Sequence, residues 1–313
     1  MKFVIFGAGG VGGFFGGKLA AAGSDVWFVA RGNHLEAMRN HGLRINSTDG
    51  SWVVAPGKMT DDPGDIGPAD VLLFCVKSYD TESAARRLDP LLTPETIVIS
   101  LQNGIDNEER IESIIPAGVV YGGVANIYST ITAPGIITEA GGPKKLMFGP
   151  LRKENEPLAR AILSELSSAG INAEHSTDIR LALWKKFVFI TAVGGLTALT
   201  RLSLGEILRS QETRELLGEA MRETLAISRT QGIDIEPAFV DSVFDTLAKF
   251  DNETRSSLYY DLSHGKPLEI DALSGTVVRF GLSAGVPTPI HRTIYASLIP
   301  HHRKHSHARN QKN

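Results

Sequence analysis

Residues 2–17 read KFVIFGAGGVGGFFGG, an apolar run followed at once by a glycine-dense stretch. Glycine loses more conformational freedom on folding than any other residue, so such density marks backbone that turns sharply or comes very close to something. The spacing narrows the choice. Gly7, Gly9 and Gly12 stand as G-x-G-x-x-G behind a predicted strand at 2–6 and open a predicted helix at 10–22, the setting that a dinucleotide-binding fingerprint requires. In that setting the first glycine allows the turn, the second lets backbone reach a pyrophosphate, and the third lets helix pack on strand. The N–H groups of the loop and first helical turn, from Gly7 through Ala8, Gly9, Gly10 and Val11 to Gly12, then face the phosphates at the positive end of the helix dipole. A tight packing turn without a ligand would use the same glycines.

The end of the next strand tests the reading. After "DVWFVA" at 25–30 comes Arg31, where an acid would take the ribose 2′-hydroxyl of NAD. An arginine suits a 2′-phosphate, which it grips with paired N–H donors, so NADP(H) is the expected cofactor. A solvated loop arginine is the alternative.

Composition agrees with an enzyme of two domains. The chain has 313 residues, 42% hydrophobic and 21% charged, with a net charge of -3. That argues against disorder and against a nucleic-acid surface. Its single cysteine, Cys75 within "VLLFCVK", excludes an intramolecular disulfide and a multi-cysteine metal site. No charged leader is expected before the first strand and no stretch is expected to reach the length of a membrane span, so a cytoplasmic location is expected. The C-terminal "HHRKHSHARNQKN" is polar and aperiodic and reads as a disordered basic tail at 301–313.

Strand-like runs alternate with helical segments to about residue 175: "GLRINS", "SWVVA", "ADVLLFCVK", "ETIVISLQNG" and "GVVYGGVANI". This argues an α/β fold whose N-terminal part is a Rossmann-type, doubly wound parallel sheet, with ligands at the carboxyl ends of its strands. Lys77 and Asn103 lie at two such ends and are candidate ligand contacts, although Asn103-Gly104 is also a turn signal. Strand signals then stop, and 178–300 reads as an all-helical domain. The expected division is 1–177 for the NADP-binding domain and 178–300 for a helical substrate domain, with a substrate cleft between them. Lys186 stands at the entrance of "FVFITAVGGLTAL", which is apolar nearly all round. A lysine there either snorkels to solvent or, partly desolvated, gives up a proton near neutral pH. Lys185 is expected to be the solvated neighbour.

These residues carry a resemblance. "GAGGVGG", "VARGNH", "LFCVKSYDT", "SLQNGIDNEE", "LWKKF", "LTAL…LGEIL", "RSSLYYD" and "LEID", in this order, resemble the ketopantoate reductase family (2-dehydropantoate 2-reductase) over residues 1–295. The resemblance implies NADPH-dependent reduction of a small 2-keto acid to a 2-hydroxy acid, as in pantothenate biosynthesis, with no metal. It implies Lys186 as proton donor and Glu269 as its catalytic companion. It further implies Lys77 and Asn103 as cofactor contacts, with Asn103, Lys186, Ser257 and Glu269 against the substrate. The apolar helices of the second domain would allow a homodimer. One departure concerns the substrate. The family's best-known members place asparagines four and eight residues after the lysine, on the same helix face, where this chain has Ile190 and Gly194. Three readings therefore stand: a ketopantoate reductase, a relative acting on another 2-keto or imino acid, and a non-catalytic NADP(H) sensor.

Overall fold

The opening stretch folds as strand Lys2–Phe6 and helix Gly10–Ala21. The structure is a computed structural model describing residues 1–152 and 156–310. It forms two units, Met1–Gln102 with Asp106–Ala182, and Asn103–Ile105 with Leu183–Asn313.

In the first unit Lys2–Phe6 lies inside an eight-stranded sheet. The order is Asn172–His175, Lys145–Pro150, Val119–Asn126, Ile97–Ser100, Val71–Phe74, Lys2–Phe6, Asp25–Val29, Met59–Thr60. Every neighbouring pair is parallel except Lys145–Pro150 against Val119–Asn126. Strand side chains alternate between faces. Phe3 and Ile5 accordingly enter one core with Phe14, Leu19 and Phe28, whereas Val4 and Phe6 enter another with Leu72, Phe74 and Val98. The strand order reverses direction beside Lys2–Phe6, the crevice where doubly wound folds bind ligands.

Two expected strands are elsewhere. Leu43–Ser47 and Gly50–Val54 form a hairpin that joins Ile136–Glu139 and Ser129–Ala133 in a separate four-stranded sheet. Leu43 and Ile45 are buried, but the remaining side chains of the hairpin are exposed or half-buried, unlike the fully buried Val71–Phe74 and Ile97–Ser100. This small sheet lies against helix Gly10–Ala21 and, together with the large one, explains most of that helix's glycines. A Cβ on Gly12 or Gly16 would come within 2.9 or 2.5 Å of Ile5 in the large sheet. One on Gly13 or Gly17 would come within 2.8 Å of Ile137 or 2.7 Å of Ile45 in the small one. Glycine pairs four residues apart thus let both sheets close on one helix, a packing role beyond ligand approach.

The second unit is helical. Its elements include helix Ile179–Thr200 from Leu183 onward and helices Gln211–Thr230, Ser257–Ser263 and Pro289–Asn310. Helix Ile179–Thr200 is long and apolar enough to cross a membrane by length and composition, which corrects the expectation that no stretch reaches that length. With 67% of its most apolar window buried inside the fold, it serves as a core helix. The expected tail at 301–313 is also revised: helix Pro289–Asn310 runs through 301–310, and 311–313 lie outside the described residues. His302 gives that extension an anchor, because Leu268 N–H donates to its Nδ1 at 3.1 Å.

The start of the same helix is held by Glu223, whose carboxylate accepts from Ile290 N–H at 2.8 Å and His291 N–H at 3.0 Å. His291 is fully buried, with Nε2 3.0 Å from both the Ala220 carbonyl and Thr224 Oγ1, and Nδ1 3.2 Å from Ser274 Oγ. Burial lowers its pKa to about 4. Unfolded histidine binds a proton near pH 6.5. Between those values the unfolded state takes up a proton that the folded state refuses, so stability falls as pH drops from about 6.5 to about 4. The loss is ~3 kcal/mol at 1.36 kcal/mol per unit. Thermal unfolding followed against pH is expected to show it, and His291→Gln to remove that component.

Candidate active site

The fingerprint turn is built from strand contacts. Gly7 and Ala8 both donate their N–H to the Val29 carbonyl, at 3.0 and 3.1 Å, and Cys75 N–H closes the other side on the Phe6 carbonyl at 2.8 Å. Gly7 has φ +104°, a region that side chains disfavour. Gly9 differs from its neighbours: beyond the adjoining residues, no atom of the described residues lies within 4 Å of where its Cβ would be. Packing within the protein does not require glycine there, so the backbone is left open to an approaching molecule. Helix Gly10–Ala21 has no side-chain cap and no acid in its first turn, and its first internal bond runs from Gly13 N–H to the Gly9 carbonyl. Such an end suits an anion. These residues fit the pyrophosphate of a dinucleotide.

Arg31 follows strand Asp25–Val29 and caps the next helix, Gly32–His41, by its backbone. Its guanidinium pairs with Asp80 while remaining 59% exposed. Lys77 is half-buried, two residues beyond Cys75, and leads into the short helical turn Ser78–Asp80. A network that the sequence did not reveal braces this loop. Gln102 donates from Nε2 to the Val76 carbonyl at 3.1 Å and to Thr81 Oγ1 at 2.8 Å. Thr81 Oγ1 donates to the Ser78 carbonyl at 2.9 Å, and Ser100 Oγ lies 3.3 Å from Gln102 Oε1. Glu108 is buried nearby in sequence, and desolvation pushes its carboxyl up to about 7. The Lys77 loop is therefore tied to the end of the strand that carries Asn103. Asn103 itself is half-buried and groups with the second unit. Cys75 has its thiol pKa raised by burial and is no nucleophile.

In the second unit Lys186 is half-buried on helix Ile179–Thr200, whereas Lys185 is exposed with its ammonium 5.8 Å from the centre of the Phe239 ring. Along the Lys186 face, Ile190 lies one turn on and Gly194 two. Gly194 is buried, yet apart from its own helix backbone and chain neighbours no atom of the described residues lies within 4 Å of its would-be Cβ, so open space borders it. Ser256 ties the next candidate to the same helix. Its Oγ caps helix Ser257–Ser263 by accepting from Tyr259 N–H at 3.1 Å, accepts from Thr197 Oγ1 at 2.6 Å and lies 3.4 Å from the Gly194 carbonyl. Ser257, first residue of that helix, is left exposed. Glu269, only 6% exposed, immediately precedes Ile270 and the π-helical turn Asp271–Gly275, a distortion frequent at functional sites.

A dinucleotide-binding sheet in one unit and a half-buried lysine on an apolar helix in the other define a nicotinamide-dependent oxidoreductase of two units. Family models agree. The description "Ketopantoate reductase PanE/ApbA" matches residues 3–153, and its C-terminal counterpart matches 178–301. The chain is 31% identical to a 2-dehydropantoate 2-reductase from Mesorhizobium japonicum, covering 92% of this chain and 94% of that one. It is 30% identical to the uncharacterized oxidoreductase YkpB of Bacillus subtilis, covering 95% and 98%. The crystal structure of a PanE/ApbA family ketopantoate reductase from Ralstonia eutropha JMP134 superposes with a TM-score of 0.89 at 32% identity, covering 98% of this chain and 100% of that one. The chain belongs to the ketopantoate reductase family and is an oxidoreductase.

Proposed function

We propose that the protein reduces a 2-keto acid to the corresponding 2-hydroxy acid with NADPH, the reference substrate being 2-dehydropantoate, reduced to pantoate for pantothenate biosynthesis. The observation that carries the reading is the Lys186 face: a half-buried ammonium on a core helix, followed by open space at Gly194. When bound, the reduced nicotinamide supplies a hydride to the keto carbon. Negative charge then grows on the keto oxygen, and Lys186 stabilises it and hands over its proton. Glu269 orients the forming hydroxyl or keeps the lysine charged. Ser257 offers its hydroxyl to the substrate carboxylate, and Asn103 holds substrate and nicotinamide ribose in register. Lys77 contacts the cofactor. A sensor would have no use for Lys186 and Glu269 together.

A second reading, another 2-keto acid, is favoured by Ile190 and Gly194. Polar groups of 2-dehydropantoate that amides would satisfy find an aliphatic side chain and a gap, at a cost of about 1 to 3 kcal/mol per lost contact. The gap at Gly194 accommodates a bulkier apolar substituent. Loss of NADPH absorbance across a panel of 2-keto acids tests both readings. Turnover is expected with at least one member, with branched or aromatic 2-keto acids ahead of 2-dehydropantoate if the second reading holds. Oxidation with none would contradict the enzymatic assignment.

The preference for NADPH is supported by Arg31. Arg31→Ala is expected to lower kcat/KM for NADPH by about 30-fold, the worth of charge-assisted hydrogen bonds to a phosphate. The NADH value should hardly move. Equal losses with both cofactors would show that Arg31 does not read the 2′-phosphate.

A further inference from the structure

His34, half-buried on helix Gly32–His41, has no part in the chemistry above, yet it joins three segments of the first unit. Gly135 N–H donates to its Nδ1 at 3.0 Å. That nitrogen therefore presents a lone pair, and in the neutral ring the proton resides on Nε2. Nε2 lies 2.9 Å from the carbonyl oxygen of Ala8, in the fingerprint loop, and donates to it. The Ala8 N–H is held separately by the Val29 carbonyl.

The consequence follows from peptide geometry. The bond between Ala8 and Gly9 is planar and trans, so its C=O and N–H point in opposite directions. A ring that holds the Ala8 carbonyl also sets where the Gly9 N–H points. We propose that His34 is a positioning residue for the cofactor, fixing the Ala8–Gly9 peptide so that the Gly9 N–H is presented to the pyrophosphate. The proposal rests on the dinucleotide-binding reading of the fingerprint. Gly9 is the loop glycine whose Cβ position is open to a ligand. Without the ring, the peptide plane loses one of its restraints, and the Gly135 N–H and Ala8 carbonyl both lose this partner. A binder that must reorder this peptide loses affinity without losing the rest of the site.

The test compares His34→Leu and His34→Phe, which remove both bonds, with His34→Gln, whose amide offers a donor and an acceptor as the neutral ring does. Folding is checked by circular dichroism, and affinities are measured by fluorescence titration with NADPH and with 2′-AMP, which carries the phosphate expected at Arg31 but no pyrophosphate. The leucine and phenylalanine variants are expected to bind NADPH about tenfold or more weakly. Affinity for 2′-AMP and kcat at saturating NADPH should stay within about twofold, and glutamine should restore most of the loss. A lower melting temperature with unchanged NADPH affinity would make His34 a structural staple and overturn the proposal. Equal weakening of NADPH and 2′-AMP would overturn it as well. Failure of the unaltered protein to bind NADPH would instead remove the cofactor reading on which the proposal stands.

Discussion

Replacing Lys186 with alanine is expected to lower kcat by about 1000-fold, within the range a positioned general acid supplies. The dissociation constant for NADPH should change by less than about twofold, since the residues assigned to the cofactor's phosphates lie on other elements. Stability should hardly change, because Lys186 is only half-buried and its helix is held by fully buried neighbours such as Phe187, Val188 and Ala192. Lys186→Arg separates charge from proton transfer. Arginine keeps the cation but does not give up a proton near neutral pH, so it should recover substrate binding more than turnover. Stopped-flow traces at saturating NADPH distinguish these outcomes. Parallel losses of binding and turnover in the alanine variant would reassign Lys186 to holding the cofactor.

The fingerprint glycines yield the second large effect, and they separate from one another. Gly9 has φ -77° and ψ -161°, which any residue adopts, and its Cβ direction is open. Gly9→Ala is therefore expected to leave the melting temperature unchanged while weakening NADPH by about 100-fold, its methyl filling space that the pyrophosphate needs. Gly12→Ala behaves in the opposite sense. Its Cβ would lie 2.3 Å from the Gly7 carbonyl oxygen and 2.9 Å from Ile5 Cγ2. Such overpacking costs about 1 to 3 kcal/mol, more than the ~1 kcal/mol that alanine gains over glycine in a helix. Calorimetry and fluorescence titration on the two variants check the pair. Wild-type NADPH affinity in Gly9→Ala would show that nothing approaches this backbone.

Lys186 and the fingerprint glycines stand out in the amino-acid sequence itself. The fingerprint was legible because strand Lys2–Phe6, the turn and helix Gly10–Ala21 follow one another directly and Gly7, Gly9 and Gly12 keep the required spacing. The parallel core was legible because Val71–Phe74 and Ile97–Ser100 are continuous apolar runs. The small sheet was not. Leu43–Ser47 pairs with Ile136–Glu139, more than eighty residues away, and nothing near either strand announces the other. A signal was present in the alternation of "LRINS", which suits a sheet with one wet face better than a strand buried on both. The glycines at 13 and 17 owe their presence to that same unforeseen sheet.

The helical unit was legible in outline and not in its details. A long run that is apolar nearly all round located helix Ile179–Thr200, and its entrance set Lys186 apart from exposed Lys185. Ser257 and Glu269 rested on the family resemblance, because neither sits in a local pattern that distinguishes it from an ordinary helix residue. Structure separates them: Glu269 is buried, and Ser257 is exposed beside a capping serine. The Gln102 network and the His34 bridge depend on backbone carbonyls brought together by folding, which no side-chain pattern encodes. Polar aperiodic sequence misled at 301–310, where helix Pro289–Asn310 continues from a start held by Glu223.

The central claim is that an ammonium at position 186 protonates the keto oxygen as the hydride arrives. Chemical rescue addresses it most directly: single-turnover NADPH oxidation by Lys186→Ala, with a reactive 2-keto acid, followed as the concentration of small alkylammonium ions is raised. The account predicts a rate that climbs with the added ammonium and depends on its acidity, with no such response in the unaltered enzyme. Turnover by Lys186→Ala close to that of the unaltered enzyme, with no response to added amine, would contradict it.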